Sequence, residues 1–193
     1  MKKNDQFDIL IFGTGGQGLI TLLQIIAEAA IIEGHEVRTS ELHGLSQRGG
    51  SVEVHIRFGK EIYSPMVSYQ EADLIFGLEE QESLRGIYFS KPETVFLLNQ
   101  LIMPISQKEP LSENEILEQL KKVSQNIHVV PAGKICQEKL GKSVVSGVYL
   151  VSLAAFKNLI PLKPDSIQEA IKKIVPEKYL ELNLKTFELA KIN

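Results

Sequence analysis

A chain of 193 residues with a net charge of −3 has room for one domain, or one with a small appendage, and offers no broad basic surface for nucleic acid. Hydrophobic residues make up 44% of it, ample for a buried core. The longest apolar stretch, 19–32, is broken by Thr21, Gln24 and Glu28 and falls short of the ~20 residues of a membrane span. The one cysteine, Cys136, forms no internal disulfide and by itself holds neither an iron–sulfur cluster nor a structural zinc. It reads as a small buried apolar residue. Absent disulfides suit a cytoplasmic protein, and Met1-Lys2-Lys3-Asn4-Asp5 followed by a strand-like run does not read as a signal peptide.

Phe7 to Phe12 is a nearly continuous apolar run ended by glycine, as expected of a central parallel strand. A glycine-rich loop follows, then a helix over Leu19 to Ile32, stopped by Gly34. Its polar residues Thr21, Gln24 and Glu28 form one thin stripe, so the helix must be covered on more than one side, by this chain or by a partner. Glu36 to Ser40 is a second strand, and Glu41 to Ser51 an irregular loop. Val52, Val54, Ile56 and Phe58 alternate with Glu53, His55 and Arg57 in a strand with one polar face, which puts His55 at a surface or an interface. Gly59-Lys60 is the expected hairpin turn and Glu61 to Ser64 the return strand.

Ala72 to Leu78 is another buried strand, and Glu79 to Arg85 begins a helix with acids in its first turn. Thr94 to Leu98 is a strand, and 100–111, with two prolines, a surface connection. Ser112 and Glu115 make a capping box, behind which Ile116, Leu117, Leu120 and Val123 are buried. Ile127 to Val130 is a short last strand closed by Pro131. The tail is helical: Gly147 to Phe156 is apolar, Ser166 to Val175 has clean helical spacing, and Pro176 opens a final helix. The alternation predicts an α/β fold, a three-layer Rossmann-like domain over 1–193 with a mixed sheet including a β-hairpin and a helical C-terminal segment from about 141 to 193.

Gly13, Gly15 and Gly18 fit G-x-G-x-x-G between strand and helix, where glycines permit a tight turn and the helix start favours an anion. A tight turn that only packs the helix on the strand explains them too. A dinucleotide site also needs an acid near the end of the second strand; Glu36 and Glu41 are the candidates by count. The Gly15-Gly16-Gln17 tripeptide of peptidyl-tRNA hydrolysing proteins sits in a basic context that this acidic chain lacks. The loop after the second strand, with Glu41, His43, Ser46, Gln47, Arg48, Gly49, Gly50 and Ser51, should converge on the glycine loop, and Arg48 suits a phosphate or carboxylate. His43 has no nucleophile at a telling spacing and reads as a loop histidine. Glu79, Glu80 and Glu82 fit a helix start or a partner contact.

The strings GTGGQG, ELHGLSQRGGSVEVHIRFG and ADLIFGLEEQESLR, in that order, resemble the gamma-type subunit family of 2-oxoacid:ferredoxin oxidoreductases. HGLSQRGGSV points to the indolepyruvate:ferredoxin oxidoreductase branch, to its small (beta) subunit. By that resemblance Gly13, Gly15, Gly16, Gln17 and Gly18 match the family's glycine loop, and Ser46, Gln47, Arg48, Gly49, Gly50 and Ser51 its second loop. Glu79 and Glu82 match its acidic helix start and Asn99 an asparagine after the next strand. The match departs at 143–148, SVVSGV, where the family tends to carry an asparagine and then a glycine.

The resemblance implies oxidative decarboxylation of a 2-oxoacid with coenzyme A and ferredoxin, to an acyl-CoA, carbon dioxide and reduced ferredoxin. Thiamine diphosphate, magnesium and iron–sulfur clusters are expected in a partner chain, because this sequence has one cysteine and lacks a GDG-type magnesium segment. The chain is then a non-redox subunit, inactive alone, whose two loops close over the partner's active site, with a coenzyme A contact at the glycine loop. Ferredoxin is the expected acceptor of the complex; a homodimer of the isolated chain stays open. The alternatives are a stand-alone nicotinamide or flavin enzyme, a non-catalytic nucleotide-binding scaffold, and the pyruvate or 2-oxoglutarate branch of the same family.

Overall fold

The computed structural model describes residues 6–44, 49–104 and 109–192. Among these, six strands form one sheet in the order β2-β3-β1-β4-β5-β6. Central β1 (Gln6–Thr14) runs parallel to β4 (Ala72–Gly77), which is followed outward by parallel β5 (Ser90–Asn99) and β6 (Ile127–Val130). On the other side β3 (Ser51–Gly59) is antiparallel both to β1 and to β2 (Glu36–His43). The sheet is therefore mixed, as the sequence predicts, but through a different hairpin.

The return strand expected at 61–64 does not form. β3 pairs instead with the preceding strand, from Glu36 opposite Gly59 to His43 opposite Val52. The reason is where the polar groups of 61–66 go. Arg57 donates from Nη1 to the carbonyls of Ser64 and Met66, and the Ile62 amide is held by Glu36 Oε2. Side chains thus occupy backbone groups that a ladder would have used, while Ile62 is buried. β2 also runs three residues past the expected Ser40, so the loop between β2 and β3 shrinks to 44–50.

Side chains of β1 alternate between two cores, as strand geometry requires. Ile9 and Ile11 join one buried cluster and Leu10 and Phe12 the other. The first core lies under α1 (Leu19–Ile32), α4 (Ala132–Leu140), α5 (Ser146–Phe156), α6 (Pro164–Ile174) and α7 (Glu177–Lys191). The second is covered by α3 (Glu113–Leu120) and the 3-10 segment 84–89 that continues α2 (Glu80–Ser83). Three layers result.

The unusually apolar α1 finds its cover within the chain. Leu22, Ile25, Ile26, Ala29 and Ala30 are buried in the first core with Ile167, Ala170 and Ile171 of α6. The polar stripe predicted on α1 meets α6 through an ion pair, Lys173 Nζ to Glu28 Oε1 at 2.5 Å. Nine consecutive residues of α5, Gly147 to Ala155, are buried, so this helix is apolar all round because it is covered all round. The capping box of α3 is present as predicted, Ser112 and Glu115 bonding reciprocally. Helix α4 was not anticipated; Pro131 before it and Gly141 at φ 73° after it are its sequence punctuation.

Candidate functional site

The glycine loop leaves the carboxyl end of β1 and enters α1. Gly16 (φ 99°) and Gly18 (φ 81°) are left-handed, a backbone that side chains resist, and a Cβ at either would meet only open space. Gly13 is constrained differently. A Cβ there would lie 2.6 Å from Gln17 Oε1 and 3.2 Å from Leu78 Cβ, so strand and loop approach only because that position is bare. Gln17 folds back on the loop: Oε1 accepts the Thr14 amide at 2.7 Å, and Nε2 donates to the Leu78 carbonyl at 3.3 Å. Gly18 caps α1 without a side chain, and the first turn carries no acid. The amides of Leu19, Ile20 and Thr21 have no acceptor among the described residues, which leaves a positive pole at the loop.

The second loop does meet the first. Thr14 is opposite Ser51 at the last rung of the β1–β3 ladder, and the Gly15 amide donates to the Gly50 carbonyl at 2.9 Å. The convergence comes from the amino end of antiparallel β3 lying against the carboxyl end of β1, rather than from two parallel carboxyl ends. Gly49 is left-handed at φ 69°. Ser46, Gln47 and Arg48 lie outside the described residues. His43, now at the end of β2, is exposed and 3.9 Å from Glu41.

From Ser51 a chain of polar contacts runs under the loops. Ser51 Oγ donates to Glu82 Oε1 at 2.8 Å, and Glu82 Oε2 is 3.4 Å from Arg85 Nη1. Arg85 Nη2 reaches Glu53 Oε2 at 2.6 Å, its guanidinium standing 5.5 Å from the Phe12 ring centre. Glu53 Oε1 is 2.8 Å from His55 Nε2, and the Val67 amide donates to His55 Nδ1 at 3.0 Å. Because Nδ1 accepts, Nε2 carries the proton given to Glu53. The hydrogen bond from His55 and the charge of Arg85 hold the Glu53 carboxyl below its usual range against the opposing effect of burial.

His55 is thus fully buried and not on a surface. The polar face of β3 is covered by the 62–67 segment and by Phe89, whose ring meets His55 edge-on at 5.5 Å. The alternation along β3 assigns the two faces correctly but does not tell what covers them.

Glu79, at the amino end of α2, accepts the Met103 amide at 2.9 Å and the Glu82 amide at 2.8 Å. Glu80 behind it is 1% exposed, and its Oε2 has no partner among the described residues. Burial, with Glu113 and Glu79 nearby, pushes its carboxyl up to about 7. Asn99 is a clamp: Oδ1 accepts the Gly133 amide at 2.9 Å and Nδ2 donates to the Leu78 carbonyl at 3.2 Å. Sequence reading missed Met103, whose sulfur is 3.5 Å from Thr14 Oγ1 and 3.9 Å from Gln17 Nε2. It sits in the connection read as a plain surface link, and only its fold-back onto the glycine loop reveals it.

The description that matches this sequence, over residues 8–191, is that of the pyruvate ferredoxin/flavodoxin oxidoreductase family. The chain belongs to that family. It is 34% identical, over 95% of its length and 94% of the relative's, to indolepyruvate oxidoreductase subunit IorB of Thermococcus kodakarensis. It is 29% identical, over 86% of its length and 84% of the relative's, to the pyruvate/ketoisovalerate oxidoreductases common subunit gamma of Pyrococcus furiosus. The crystal structure of pyruvate oxidoreductase subunit PORC from Thermotoga maritima superposes with a TM-score of 0.72 at 18% identity, covering 98% of this chain and 97% of that one. That likeness speaks for the fold alone. The α/β architecture and the family resemblance read from the sequence both hold, and the chain is a subunit of a 2-oxoacid:ferredoxin oxidoreductase.

The residues present do not suit an iron–sulfur cluster. The single cysteine of the sequence, Cys136, is buried in the first core, where burial pushes its thiol up to about 11. No group of three His, Cys, Asp or Glu that could hold a metal occurs among the described residues. No helix among them is long and apolar enough to cross a membrane.

Proposed function

We propose that this chain is the non-redox subunit of a complex that oxidatively decarboxylates an aryl 2-oxoacid, indolepyruvate first among them, with coenzyme A and ferredoxin. The observation that carries this reading is the 34% identity to an indolepyruvate oxidoreductase subunit, end to end. Thiamine diphosphate, magnesium and the clusters belong to a larger catalytic subunit; they supply the carbanion and electron-transfer chemistry. This chain's residues shape and close the pocket.

On this reading 1–193 works as one domain. Gly13, Gly15, Gly16, Gln17 and Gly18, with Ser46, Gln47, Arg48, Gly49, Gly50 and Ser51, form a paired-loop surface toward the catalytic subunit. The unpaired first-turn amides of α1 suit the phosphates of coenzyme A. The Gly15–Gly50 bond ties the glycine loop to the start of β3. The chain alone is inactive, and the complex works in the cytoplasm.

The test is reconstitution with the catalytic subunit, followed by ferredoxin reduction with indolepyruvate, phenylpyruvate, pyruvate and 2-oxoglutarate. Aryl substrates should give the highest kcat/KM. A preference for pyruvate or ketoisovalerate would favour the second reading, which the 29% identity to the common gamma subunit supports. Turnover by the isolated chain would end both.

A further inference from the structure

The connection after β5 doubles back over α2 as a strap, 101–104, held by three successive residues. The Glu80 amide donates to the Leu101 carbonyl at 2.9 Å, Glu79 Oε1 accepts the Met103 amide at 2.9 Å, and Gln81 Nε2 donates to the Met103 carbonyl at 3.2 Å. So held, the strap sets Met103 against the glycine loop, its sulfur 3.5 Å from Thr14 Oγ1 and 3.9 Å from Gln17 Nε2. A thioether sulfur is a weak acceptor, so these two contacts fix little by themselves. The strap stays on the loop because α2 grips its backbone.

Glu80, whose amide carries Leu101, is buried at that grip. Its Oε2 has no partner among the described residues, so an ionised carboxyl lacks the donor there that would offset its burial. The charges around it are unfavourable too. Glu113 at the start of α3 and Glu79 beside it both oppose ionisation. The 84–89 segment brings Arg85, but its guanidinium is committed to Glu82 and Glu53. The ends of β1, β4 and β5 that pack on α2 carry Thr14, Gly77 and Asn99, none of them titratable. A neutral Glu80 suits this place and a carboxylate does not, which is why its titration is carried up to about 7.

We propose that the 101–104 strap is latched by a proton on Glu80. With the carboxyl neutral, the strap lies on α2 and Met103 covers the Thr14–Gln17 face of the glycine loop. When the proton leaves, the relief is local: the strap lifts, water reaches the carboxylate, and that face of the loop is bared. Lifting breaks the three bonds above and takes Ile102 from the edge of the second core, so it costs far less than unfolding. With the strap open Glu80 titrates near 4.5, and with it closed near 7. Opening therefore becomes about tenfold more frequent per pH unit between those values and levels off above them. The latch is a property of the free chain and holds whichever ligand or partner the loop meets.

The experiment is native-state hydrogen exchange on the full chain, followed by NMR from pH 5 to 8 as protection factors, which discount the intrinsic pH dependence of exchange. The Glu80 and Met103 amides, protected by the strap's own contacts, should lose about tenfold in protection per unit from pH 5 to 7 and little more by pH 8. They should stay at least about a hundredfold below the amides of β1, which open only with the whole chain. Amides in the last turn of α7, which fray without exposing Glu80, should keep one protection factor throughout. In Glu80→Gln the strap amides should lose their pH dependence. Should that variant not fold, the pH course of the strap amides against those of α7 in the unaltered chain still decides the point. Strap protection that is independent of pH in the parent overturns the proposal, as does the same fall in folded Glu80→Gln. Strap amides as protected as those of β1 also overturn it, because the strap then leaves only on global unfolding.

Discussion

Gln17 and Asn99, far apart in sequence, donate to one acceptor, the carbonyl of Leu78, at 3.3 and 3.2 Å. The Leu78 amide in turn donates to the Phe12 carbonyl at 2.8 Å. The end of β4 therefore ties the glycine loop on one side to the start of α4 on the other. Asn99 is buried and both ends of its amide are used. Asn99→Ala strands the Gly133 amide and should cost about 1–3 kcal/mol. Gln17→Ala, nearer solvent, should cost less than half as much. Urea midpoints measure both; a cost at Asn99 no larger than at Gln17 would remove the clamp from the account.

Glu80 gives the fold a dependence on pH whose sign can be fixed. Its carboxyl rises from 4.5 to about 7 on folding, chiefly through burial and then through Glu113 and Glu79. Between those values the folded chain holds a proton that the unfolded chain has released. Stability should therefore fall as pH rises from about 4.5 to 7 and level off above. Glu80→Gln keeps the shape without the charge and should raise stability at pH 8 by on the order of 2–3 kcal/mol. Denaturant titrations of both proteins at pH 5, 6, 7 and 8 are the check. Parallel pH curves for the two would show that Glu80 is ionised in the fold at little cost.

The polar chain from Ser51 to Val67 predicts an uneven response to mutation. Arg85 is 41% exposed in its side chain, so solvent softens its loss; Arg85→Ala should cost about 1–2 kcal/mol. His55 is fully buried and serves two partners. His55→Ala leaves the Val67 amide and Glu53 Oε1 unpaired around a cavity, while Arg85 still holds Glu53 Oε2, and about 3 kcal/mol is expected. Glu53, held below its usual range, works with the opposite sign to Glu80: its stabilisation is full above 4.5 and is lost as pH falls through its folded value. Glu53→Gln should be less stable than the parent at pH 6, and the difference should shrink as pH falls through the folded value of Glu53, as followed in thermal melts across the acid range.

Much of this architecture is legible in the sequence because it rests on local signals. The strands at Phe7 to Phe12 and Ala72 to Leu78, the helix from Leu19, and the capping box at Ser112 are stated by apolar period and end chemistry. What fails is pairing. Glu61 to Ser64 has strand-like residues after a plausible turn, but Arg57 takes the Ser64 carbonyl and Glu36 the Ile62 amide, and nothing in the segment announces that. His55 was misplaced for a related reason. Its neighbours make β3 look half exposed, whereas the covering layer comes from 62–67 and Phe89. The meeting of the two loops was foreseen from the sheet rule, although antiparallel β3 brings it about differently. Met103 carries no local sign at all, since it matters through a contact with the glycine loop that only the fold-back of the 101–104 segment creates.

Gly16 separates folding from assembly. Its left-handed φ of 99° disfavours any side chain, yet a Cβ there meets nothing within 4 Å. Gly16→Val should therefore cost the isolated chain only ~1–2 kcal/mol of backbone strain. If the paired loops close on the catalytic subunit, the same change re-aims the turn in front of it. The reconstituted complex should then lose at least tenfold in kcat/KM for coenzyme A. Arg48→Ala should raise KM for coenzyme A and leave kcat nearly untouched, as expected for a group that binds without entering the chemistry. Both variants can be assayed by ferredoxin reduction beside thermal melts of the free subunit. Unchanged kinetics in folded Gly16→Val and Arg48→Ala would move the partner contact away from these loops.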